Sequence, residues 1–483
     1  MSSPNLDFLP QGLFIGGEWT GPLEGRTLQV INPSNLQRLP DVPQASAVDV
    51  DRAVLAASRA FDQWRRVPIS QRARLVELLA KRIEERAGEL ALIDAVDSGN
   101  AIAGMRADMQ WTADALRFFA GLATEIKGET QLREPRHLNL TLRQPFGVVA
   151  KINAFNHPFR FCAEKIAAPL VAGNCVVVKG SEQAPLSSLK LGELCEGIFP
   201  PGVVNILTGD ARTGDALVRH PGVSRIGFVG SVPTGIAIAR AAAETLKCVT
   251  FELGGKNPAV IFPDADPKKA ATAAIKGMNM NRQGQSCSST SRVLVHVSLH
   301  EPVLKELVRQ AVALPVGFPW IEGNELGPLV SERQFERVKA YIQSGIDEGA
   351  ELVCGGRCPS APELRKGFFV EPTIFDGVRS EMRIAREEIF GPVMSVMTWT
   401  DYEEMLSMAN GLDYGLTAAI ITGDLAVAME TAERIEAGYV WINSSGRYLG
   451  SPYGGWKLSG IGREECIDEL LSYTRTKNVN LRW

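Results

Sequence analysis

The sequence has few of the residues that metal centres and disulfide frameworks need. It carries five histidines and eight cysteines in 483 residues, and no two cysteines have the CxxC spacing of a zinc or redox site. Eight cysteines are too sparse in so long a chain to form a disulfide scaffold. We therefore expect no metal site and no disulfide framework.

Long hydrophobic runs and a surplus of positive charge are also missing. No apolar run approaches the roughly 18 residues of a membrane-spanning helix, and the stretch "MSSPNLDFLPQGLF" lacks the basic-then-apolar order of a signal peptide. A formal net charge of −4 gives no general affinity for nucleic acid or an anionic membrane. These observations predict a cytoplasmic protein with no nucleic-acid or membrane partner.

The composition that remains is ordinary for a globular protein, with 45% hydrophobic and 22% charged residues. Short apolar segments alternate with amphipathic helical patterns, and a strand–turn–helix unit recurs from "GVVAKINAFN" to "CVTFELGGKNPAVIF". This alternation predicts an α/β fold with a doubly wound parallel sheet, whose ligands bind at the carboxyl ends of the strands. A second α/β series follows residue 254, so we place a domain boundary near residues 253–255.

Two segments depart from this pattern by alternating apolar and polar residues with a period of two. They are "HLNLTLRQ" at 137–144 and "KNVNLRW" at 477–483. Half-polar strands of this kind would be exposed edges unless they are paired. We expect them to pair with each other, with another subunit, or with both.

A dinucleotide site is not signalled by a GxGxxG or GxxxxGK motif, but two turns are candidates. In "GFVGSVPTG" a predicted strand ends at Val229, Gly230 and Ser231 form a turn, and Pro233 suits the first turn of a helix. The amino-terminal end of that helix would present free N–H groups to a phosphate. The same residues also fit an ordinary strand–helix turn.

The second candidate turn is "VVVKGSEQAP", where Lys179 ends a predicted strand and Glu182 follows. A carboxylate there can accept both hydroxyls of an adenosine ribose, which favours NAD over its 2′-phosphorylated form. A solvated surface ion pair is the alternative, so NADP stays possible.

Cys287 lies in the polar stretch "NRQGQSCSSTSR", an unusual place for a packed thiol. A nucleophilic cysteine needs a base, because the thiolate is the reactive form. Glu252 in "FELGGKNP" is a candidate base, and the amide of Asn156 in "NAFNHPF" could donate to an oxyanion. Taken singly, these three residues could equally be a packed thiol, a helix-capping carboxylate and a turn residue.

Together, these stretches closely resemble the aldehyde dehydrogenase superfamily, of the NAD(P)-dependent, non-acylating kind. The similarity runs from "FIGGEW" at 14–19 to the carboxyl terminus. The matching segments occur in the family's order: "FNHPF", "VVVKGSEQAP", "GFVGSVPTG", "FELGGKNP", "GQSC", "EEIFGPV" and "PYGGWKLSGIGRE".

The resemblance implies oxidation of an aldehyde to its carboxylic acid through a thiohemiacetal and a thioester on Cys287. Asn156 and the backbone N–H of Cys287 would hold the oxyanion, and Glu252 would activate water. Cofactor contacts are implied at Lys179, Glu182, Gly230, Ser231, Gly235, Glu388 and Phe390. A CoA-acylating enzyme and a non-catalytic protein on the same fold are the alternatives, and Glu252 at the position of the base argues against the first.

The same resemblance implies three structural units and a homodimer or homotetramer. An NAD(P)-binding domain would comprise residues 1–126 and 145–253, and an α/β catalytic domain would comprise residues 254–471. A small β element from 127–144 and 472–483 would mediate oligomerisation.

The substrate channel differs from that of better-known relatives, chiefly at polar positions. Its expected residues are Trp111, His157, Phe161, Glu164, Asn281, Ser286, Ser288, Arg447 and Tyr448. This mixture predicts a polar, oxygenated, cationic or aromatic aldehyde. A phosphorylated sugar aldehyde bound by Arg447 is one alternative, and a structural Glu164–Arg447 ion pair facing away from the channel is another.

Overall fold

The computed structural model describes residues 4–6, 9–10 and 12–483. In chain order its strands are β1 (Leu13–Ile15), β2 (Glu18–Thr20), β3 (Thr27–Ile31), β4 (Arg38–Pro43), β5 (Thr130–Glu134), β6 (His137–Pro145), β7 (Val148–Ile152), β8 (Cys175–Lys179), β9 (Val204–Leu207), β10 (Val223–Val229), β11 (Cys248–Glu252), β12 (Pro258–Ile261), β13 (Arg292–His296), β14 (Glu351–Cys354), β15 (Thr373–Asp376), β16 (Val393–Trp399), β17 (Tyr414–Gly415), β18 (Thr417–Ile421), β19 (Tyr439–Ile442), β20 (Trp456–Lys457), β21 (Gly460–Ile461) and β22 (Thr474–Arg482).

The α-helices alternate with these strands over most of the chain. They are α1 (Ala47–Trp64), α2 (Ile69–Glu85), α3 (Ala87–Ser98), α4 (Ile102–Gly121), α5 (Pro158–Glu164), α6 (Ala167–Ala172), α7 (Leu186–Cys195), α8 (Ala211–Arg219), α9 (Val232–Ala243), α10 (Pro267–Gly277), α11 (His300–Val312), α12 (Glu332–Asp347), α13 (Arg383–Arg386), α14 (Tyr402–Asn410), α15 (Leu425–Arg434) and α16 (Ile467–Ser472). Within the described ranges, no helix has both the length and the apolar content that crossing a membrane requires.

The first sheet has eight strands in the order β2-β1-β9-β8-β7-β10-β11-β21. Strands β7 to β11 pair in parallel, and every residue of β7 and β8 is buried because helices cover both faces. The chain moves outward from β7 to β9 and then returns to the other side of β7 at β10. The doubly wound sheet predicted from the sequence is therefore confirmed, and its switch point lies between β7 and β10.

The second sheet has seven strands in the order β14-β15-β16-β13-β12-β18-β19, and only β14 among them pairs antiparallel. The chain changes sheets between β11, which ends at Glu252, and β12, which begins at Pro258. The short strand β21 later returns to the edge of the first sheet beside β11. The segment that connects the two sheets therefore comprises residues 253–257, with the sequence "LGGKN".

The two half-polar strands pair with each other, as predicted. β22 runs antiparallel to β6, with Leu140 opposite Val479 and Asn139 opposite Asn480, and β5 completes the sheet. The side-chain amide of Asn139 also donates to the amide oxygen of Asn480. Every residue of β5 is exposed, and among the residues that the structure describes no further strand pairs with its outer edge.

Two buried aspartates of α3 hold the starts of two other helices. The Asp94 carboxylate accepts the N–H of Phe159 at 3.1 Å in α5, and the Asp97 carboxylate accepts the N–H of Leu186 at 2.9 Å in α7. These bonds satisfy N–H groups that the first turn of a helix leaves free. Because α5 follows the loop of Asn156, α3 fixes that loop at the end of β7.

Candidate active site

A cleft of about 840 Å³ opens at the carboxyl ends of the parallel strands of the first sheet. Its volume is that of a site for a sizeable small-molecule ligand. Asn156, Glu252 and Cys287 lie together in its lining. The structure therefore brings the three predicted catalytic residues to one place from three separate segments of the chain.

The thiol of Cys287 donates to the Oε1 atom of Glu252, with 2.7 Å between sulfur and oxygen. Glu252 is the last residue of β11 and is only 3% exposed. Burial raises the pKa of Glu252, with Lys165 and Arg447 opposing the rise. Burial, together with the negative charge of Glu252, also holds the pKa of Cys287 well above its ordinary value. The resting site is thus a thiol beside a carboxylate with raised proton affinity.

The side chain of Asn257 fixes the turn that carries Cys287. Its Nδ2 atom donates to the backbone oxygens of Cys287 (2.7 Å) and Ser289 (3.0 Å), and its Oδ1 atom accepts the N–H of Thr417 (3.0 Å). This amide is buried, so all three bonds are shielded from water. It orients the nucleophile without contacting the sulfur.

Asn156 lies in the loop between β7 and α5 and is 3% exposed. Its backbone oxygen accepts a bond from the Nδ2 atom of Asn100 at 3.0 Å. Within the described part of the chain, neither the side-chain amide of Asn156 nor the backbone N–H of Cys287 donates a hydrogen bond. Both residues line the same cleft, so two donors without a partner are available near the thiol, and free donors of this kind can stabilise an oxyanion.

A buried ion pair lies behind the base. The Nζ atom of Lys165 is 2.6 Å from Glu464 and 3.3 Å from Glu164, and all three side chains are almost fully buried. The charge of Lys165 lowers the pKa of Glu252 and that of Glu464 raises it. Sequence reasoning missed this pair because nothing in either local pattern links residues about 300 positions apart.

The predicted ribose contacts lie at the opposite end of the cleft. Lys179 ends β8, and its Nζ atom is 3.3 Å from the Oε2 atom of Glu182 and 3.0 Å from the oxygen of Gly180. Both predicted residues line the cleft. The carboxylate of Glu182 is partly exposed (37%), so a ligand can reach it.

The predicted phosphate turn also has the expected geometry. β10 ends at Val229, and Gly230 and Ser231 lead into α9 and line the cleft. The hydroxyl of Ser231 lies 3.0 Å from that of Thr234 and does not cap the helix, so the first N–H groups of α9 are not used by a side-chain cap. These features, with the cleft volume, suit a dinucleotide pyrophosphate.

Gly235 follows in the first turn of α9. It lies outside the lining of the cleft, and a Cβ atom at this position would come within 2.8 Å of Leu253. The absence of a side chain therefore lets α9 pack on the segment between the two sheets, and a contact of Gly235 with the cofactor stays a prediction.

Glu388 and Phe390 line the cleft on the side of the second sheet. The Oε1 atom of Glu388 accepts the N–H of Gly255 at 3.0 Å, and burial raises its pKa to about 7. Phe390 has a φ of 60°, a backbone conformation that non-glycine residues rarely adopt. Its ring packs edge-on against Phe155, next to Asn156.

Arg447 lies close to the thiol, outside the lining of the cofactor cleft. Its guanidinium is 4.2 Å from the ring centroid of Tyr453, and the Tyr453 hydroxyl is 3.8 Å from the Cys287 sulfur. Trp111 lies on another side, 5.7 Å from the same guanidinium. The Nη2 atom of Arg447 pairs with Glu465 at 3.0 Å.

The Glu164–Arg447 ion pair, considered above as an alternative, does not form. Glu164 instead pairs with Arg160 at 2.9 Å and with Lys165 at 3.3 Å, since all three lie on or directly after α5. Although burial alone would raise it, these cations lower the pKa of Glu164 to about 2. Glu164 is thus an ionised carboxylate held by two cations, and Arg447 is held by Glu465.

His157 and its neighbours form a second buried cluster around Asp108. The carboxylate of Asp108 lies 2.7 Å from the Nδ1 atom of His157 and 2.7 Å from the Nη2 atom of Arg282. Burial lowers the pKa of His157 to about 4, against the opposing effect of Asp108, so the imidazole is neutral. Phe161 packs against it at 5.0 Å between ring centroids.

The other predicted channel residues are more dispersed. The hydroxyls of Ser286 and Ser288 lie 3.1 Å apart on either side of the nucleophile. Asn281 contacts the start of α4, where its backbone oxygen accepts the N–H of Ala101. Tyr448 is 69% exposed.

In the described ranges, no group of three or more His, Cys, Asp or Glu side chains lies close enough together to hold a metal ion. The residues that the sequence analysis missed are Asn257, Tyr453, Lys165, Glu464, Asp108 and Glu465. Asn257 and Tyr453 lie inside the quoted segments "FELGGKNP" and "PYGGWKLSGIGRE", which were the available signals.

Comparisons with known proteins identify the family of the chain. The model of the aldehyde dehydrogenase family matches residues 19–479. The chain is 44% identical to the aldehyde dehydrogenase tropH of Talaromyces stipitatus, over 98% of this chain and 93% of that protein. It is 40% identical to retinal dehydrogenase 2 of Mus musculus, over 99% and 93% respectively.

Solved structures give the same result for the fold. The NAD+ complex of an aldehyde dehydrogenase from Bacillus cereus has a TM-score of 0.96 at 38% identity, covering 100% of this chain and 99% of that one. A betaine aldehyde dehydrogenase of Staphylococcus aureus in complex with NAD+ has a TM-score of 0.96 at 34% identity, covering 99% and 96%. The resemblance found in the sequence is confirmed: this chain belongs to the aldehyde dehydrogenase family of NAD(P)-dependent oxidoreductases.

Proposed function

We propose that the protein oxidises an aldehyde to its carboxylic acid through a thioester on Cys287, with NAD as the preferred cofactor. The observation that carries this proposal is the 2.7 Å contact between the Cys287 thiol and the buried Glu252 carboxylate in the lining of the cleft. A packed structural thiol would need neither a buried base nor free donors beside it.

In the first step Glu252 takes the thiol proton and the sulfur attacks the aldehyde carbon. A carbon–sulfur bond forms while the carbonyl π pair moves to oxygen. The free side-chain amide of Asn156 and the backbone N–H of Cys287 hold that oxyanion, and Asn257 keeps the second donor in place. A nicotinamide cofactor held in the cleft beside Glu388 and Phe390 would supply the hydride acceptor that oxidation of this thiohemiacetal to a thioester requires.

Glu252 also serves the second step once it has released the thiol proton to solvent, because its deprotonated carboxylate beside the sulfur can then take a proton from water. The hydroxide adds to the thioester carbon, the carbon–sulfur bond breaks, and the leaving sulfur takes the proton back from Glu252. The products are the carboxylic acid and free Cys287. A base in this position favours hydrolysis over transfer of the acyl group to CoA.

The preference for NAD rests on Glu182, whose reachable carboxylate is oriented by Lys179 at 3.3 Å. A carboxylate accepts two ribose hydroxyls but repels a 2′-phosphate. We expect Glu182→Ser to reduce the ratio of kcat/KM for NAD over NADP by about tenfold, the equivalent of roughly 1.4 kcal/mol. A ratio unchanged by this substitution would refute the assignment.

We also propose three units with the boundaries given above, a homodimer or homotetramer, and a cytoplasmic location. The two large sheets and the sheet of β5, β6 and β22 support the division. Leu132, Leu481 and Trp483 expose apolar side chains on that small sheet, which supports a subunit contact there. A monodisperse monomer in light scattering would contradict the oligomer.

The proposed cytoplasmic location is supported by the eight cysteines, all of which are free thiols.

The chemistry is tested by following NADH formation with an aldehyde in wild-type protein, Cys287→Ala and Cys248→Ala. Cys248 is an exposed thiol at the other end of the strand that carries Glu252, and it serves as the control. We expect Cys287→Ala to abolish turnover and Cys248→Ala to retain it. Turnover that persists in Cys287→Ala would overturn the proposal.

A further inference from the structure

The wall formed by Arg447, Tyr453 and Trp111 lies next to the nucleophile and outside the lining of the cofactor cleft. Its loop is held in place: the indole N–H of Trp441 donates to the oxygen of Gly446 at 2.7 Å. The guanidinium is therefore presented by a fixed backbone. Its side chain is 17% exposed, so a ligand in the channel can reach it.

Several N–H donors of Arg447 are not used in hydrogen bonds within the described residues. A guanidinium has five N–H donors in one plane, and stacking on a ring uses only its face. The Nη2 atom pairs with Glu465, and Nε and Nη1 have no hydrogen-bond partner among the described residues. Glu465 is moreover shared, because it also lies 3.3 Å from the Nη2 atom of Arg160. One carboxylate thus serves two arginines.

Trp111 offers an independent second donor on the same wall. Its Nε1 atom is buried and has no hydrogen-bond partner within the described residues. Buried indole N–H groups usually find an acceptor, and leaving one unpaired is costly. Arg447 and Trp111, whose ring lies 5.7 Å from the guanidinium, therefore both have N–H groups without acceptors within the described residues.

The two carboxylates near this wall are, in contrast, already held in ion pairs. Glu164 is held by Arg160 and Lys165, and Glu465 by Arg160 and Arg447. A cationic substrate would find no free carboxylate here and would be repelled by Arg447. An anionic oxygen group would supply the acceptor that Arg447 and Trp111 both lack.

We infer that the substrate is an aldehyde carrying a carboxylate, which Arg447 and Trp111 bind while Cys287 attacks the aldehyde carbon. This inference rests on the proposed function and names its substrate class. A single aromatic ring, that of Tyr453, separates the guanidinium from the sulfur. The spacer between carboxylate and aldehyde is therefore about the length of one ring, and planar spacers can stack on Tyr453 and Trp111. A monoanion suits the single incompletely paired arginine better than a phosphate dianion does.

The test compares 4-formylbenzoate with its neutral methyl ester, methyl 4-formylbenzoate, and with 4-formylphenyl phosphate. We expect wild-type kcat/KM to be about tenfold or more higher for the carboxylate than for the ester, the usual benefit of a hydrogen-bonded charge. Arg447→Met should abolish this ratio, Arg447→Lys should keep part of it, and Trp111→Phe should lower it about threefold. Arg106→Met is the control, because Arg106 lies on the same helix as Trp111 but pairs with Glu322 at the surface.

The ratio of the two substrates separates binding of the carboxylate from any effect of Arg447 on the thiol, which would change both rates equally. A carboxylate-to-ester ratio near one in the wild type, or a ratio unchanged in folded Arg447→Met, would overturn the inference. A phosphate substrate preferred over the carboxylate would overturn its choice of anion. NADH formation from the ester shows that the proposed function holds in either case, whereas no NADH from any aldehyde refutes both.

Discussion

The thiol of Cys287 lies 2.7 Å from the carboxylate of Glu252, and burial raises the pKa of both groups. The resting pair therefore keeps its proton, and the nucleophile is activated only when that proton leaves. The positive charges of Lys165 and Arg447 oppose the rise in the pKa of Glu252, so this carboxyl can still lose its proton and act as a base. The pair sets the pH dependence of the enzyme.

We expect kcat/KM to rise as the pH increases above the ordinary pKa of a glutamate, because burial raises the pKa of Glu252 and the carboxyl is protonated, and inactive as a base, below that pKa. Glu252→Gln should lower the rate by about 10²–10⁴, the usual contribution of general-base catalysis. The measurement is a pH profile of NADH formation under substrate-limited conditions. A rate that falls steadily as the pH increases would show that proton transfer from Cys287 to Glu252 does not activate the nucleophile.

Asn156→Ala should lower kcat by about 10²–10³, the cost of removing one oxyanion donor. The reason is that its side-chain amide is one of the two free donors beside the thiol. KM for the cofactor and the melting temperature should change little, because that amide makes no hydrogen bond within the described residues. An unchanged kcat would remove Asn156 from the oxyanion site.

Asn257→Ala should affect both stability and rate. The substitution breaks bonds to the backbone of Cys287, Ser289 and Thr417, and it leaves buried groups unpaired at a cost of about 1–3 kcal/mol each. We expect a lower melting temperature and a lower kcat, with cofactor binding by fluorescence unchanged. A lower melting temperature with an unchanged kcat would mean that the amide supports the fold but does not position the nucleophile.

His157 should make the protein less stable in acid. Its folded pKa of about 4 lies below the usual value of 6.5, so the folded state prefers the neutral imidazole. This contribution is fully present above pH 6.5 and is lost as the pH falls toward 4. Between neutral pH and about pH 4.5 it amounts to roughly 2 kcal/mol. Thermal unfolding should therefore show a smaller acid-induced loss in His157→Gln than in the wild type, and an equal loss would contradict the assignment.

Local patterns were enough to predict much of the fold. The period of two in 137–144 and 477–483 identified two strands, and their pairing followed because unpaired half-polar strands are unfavourable. The strand ends at Lys179 and Val229 were also predicted correctly, since an apolar run followed by glycine marks the carboxyl end of a buried strand. These features depend on residues close together in sequence.

Contacts between distant segments could not be predicted in this way. The pairing of Arg447 with Glu465 and its stacking on Tyr453 depend on how a loop folds over the catalytic turn. Glu164 was expected to line the channel, with an ion pair to Arg447 as the alternative, but it is instead held by cations on its own segment. No local pattern singles out Asp94, and only the structure shows that its carboxylate accepts the N–H of Phe159 at the start of α5.

The role of Cys287 is tested most directly by mass spectrometry of the Glu252→Gln variant mixed with an aldehyde and NAD+. The variant lacks the charge of Glu252, which helps to raise the pKa of Cys287, so at high pH the thiol can lose its proton to solvent and react. Hydrolysis still lacks its base, so the acyl group should accumulate on the protein at high pH. We predict a mass increase equal to the acyl group less one hydrogen, located on the peptide that contains Cys287. An acyl group found on another residue, or NADH formation with no adduct on Cys287 under rapid quenching, would show that Cys287 is not the nucleophile.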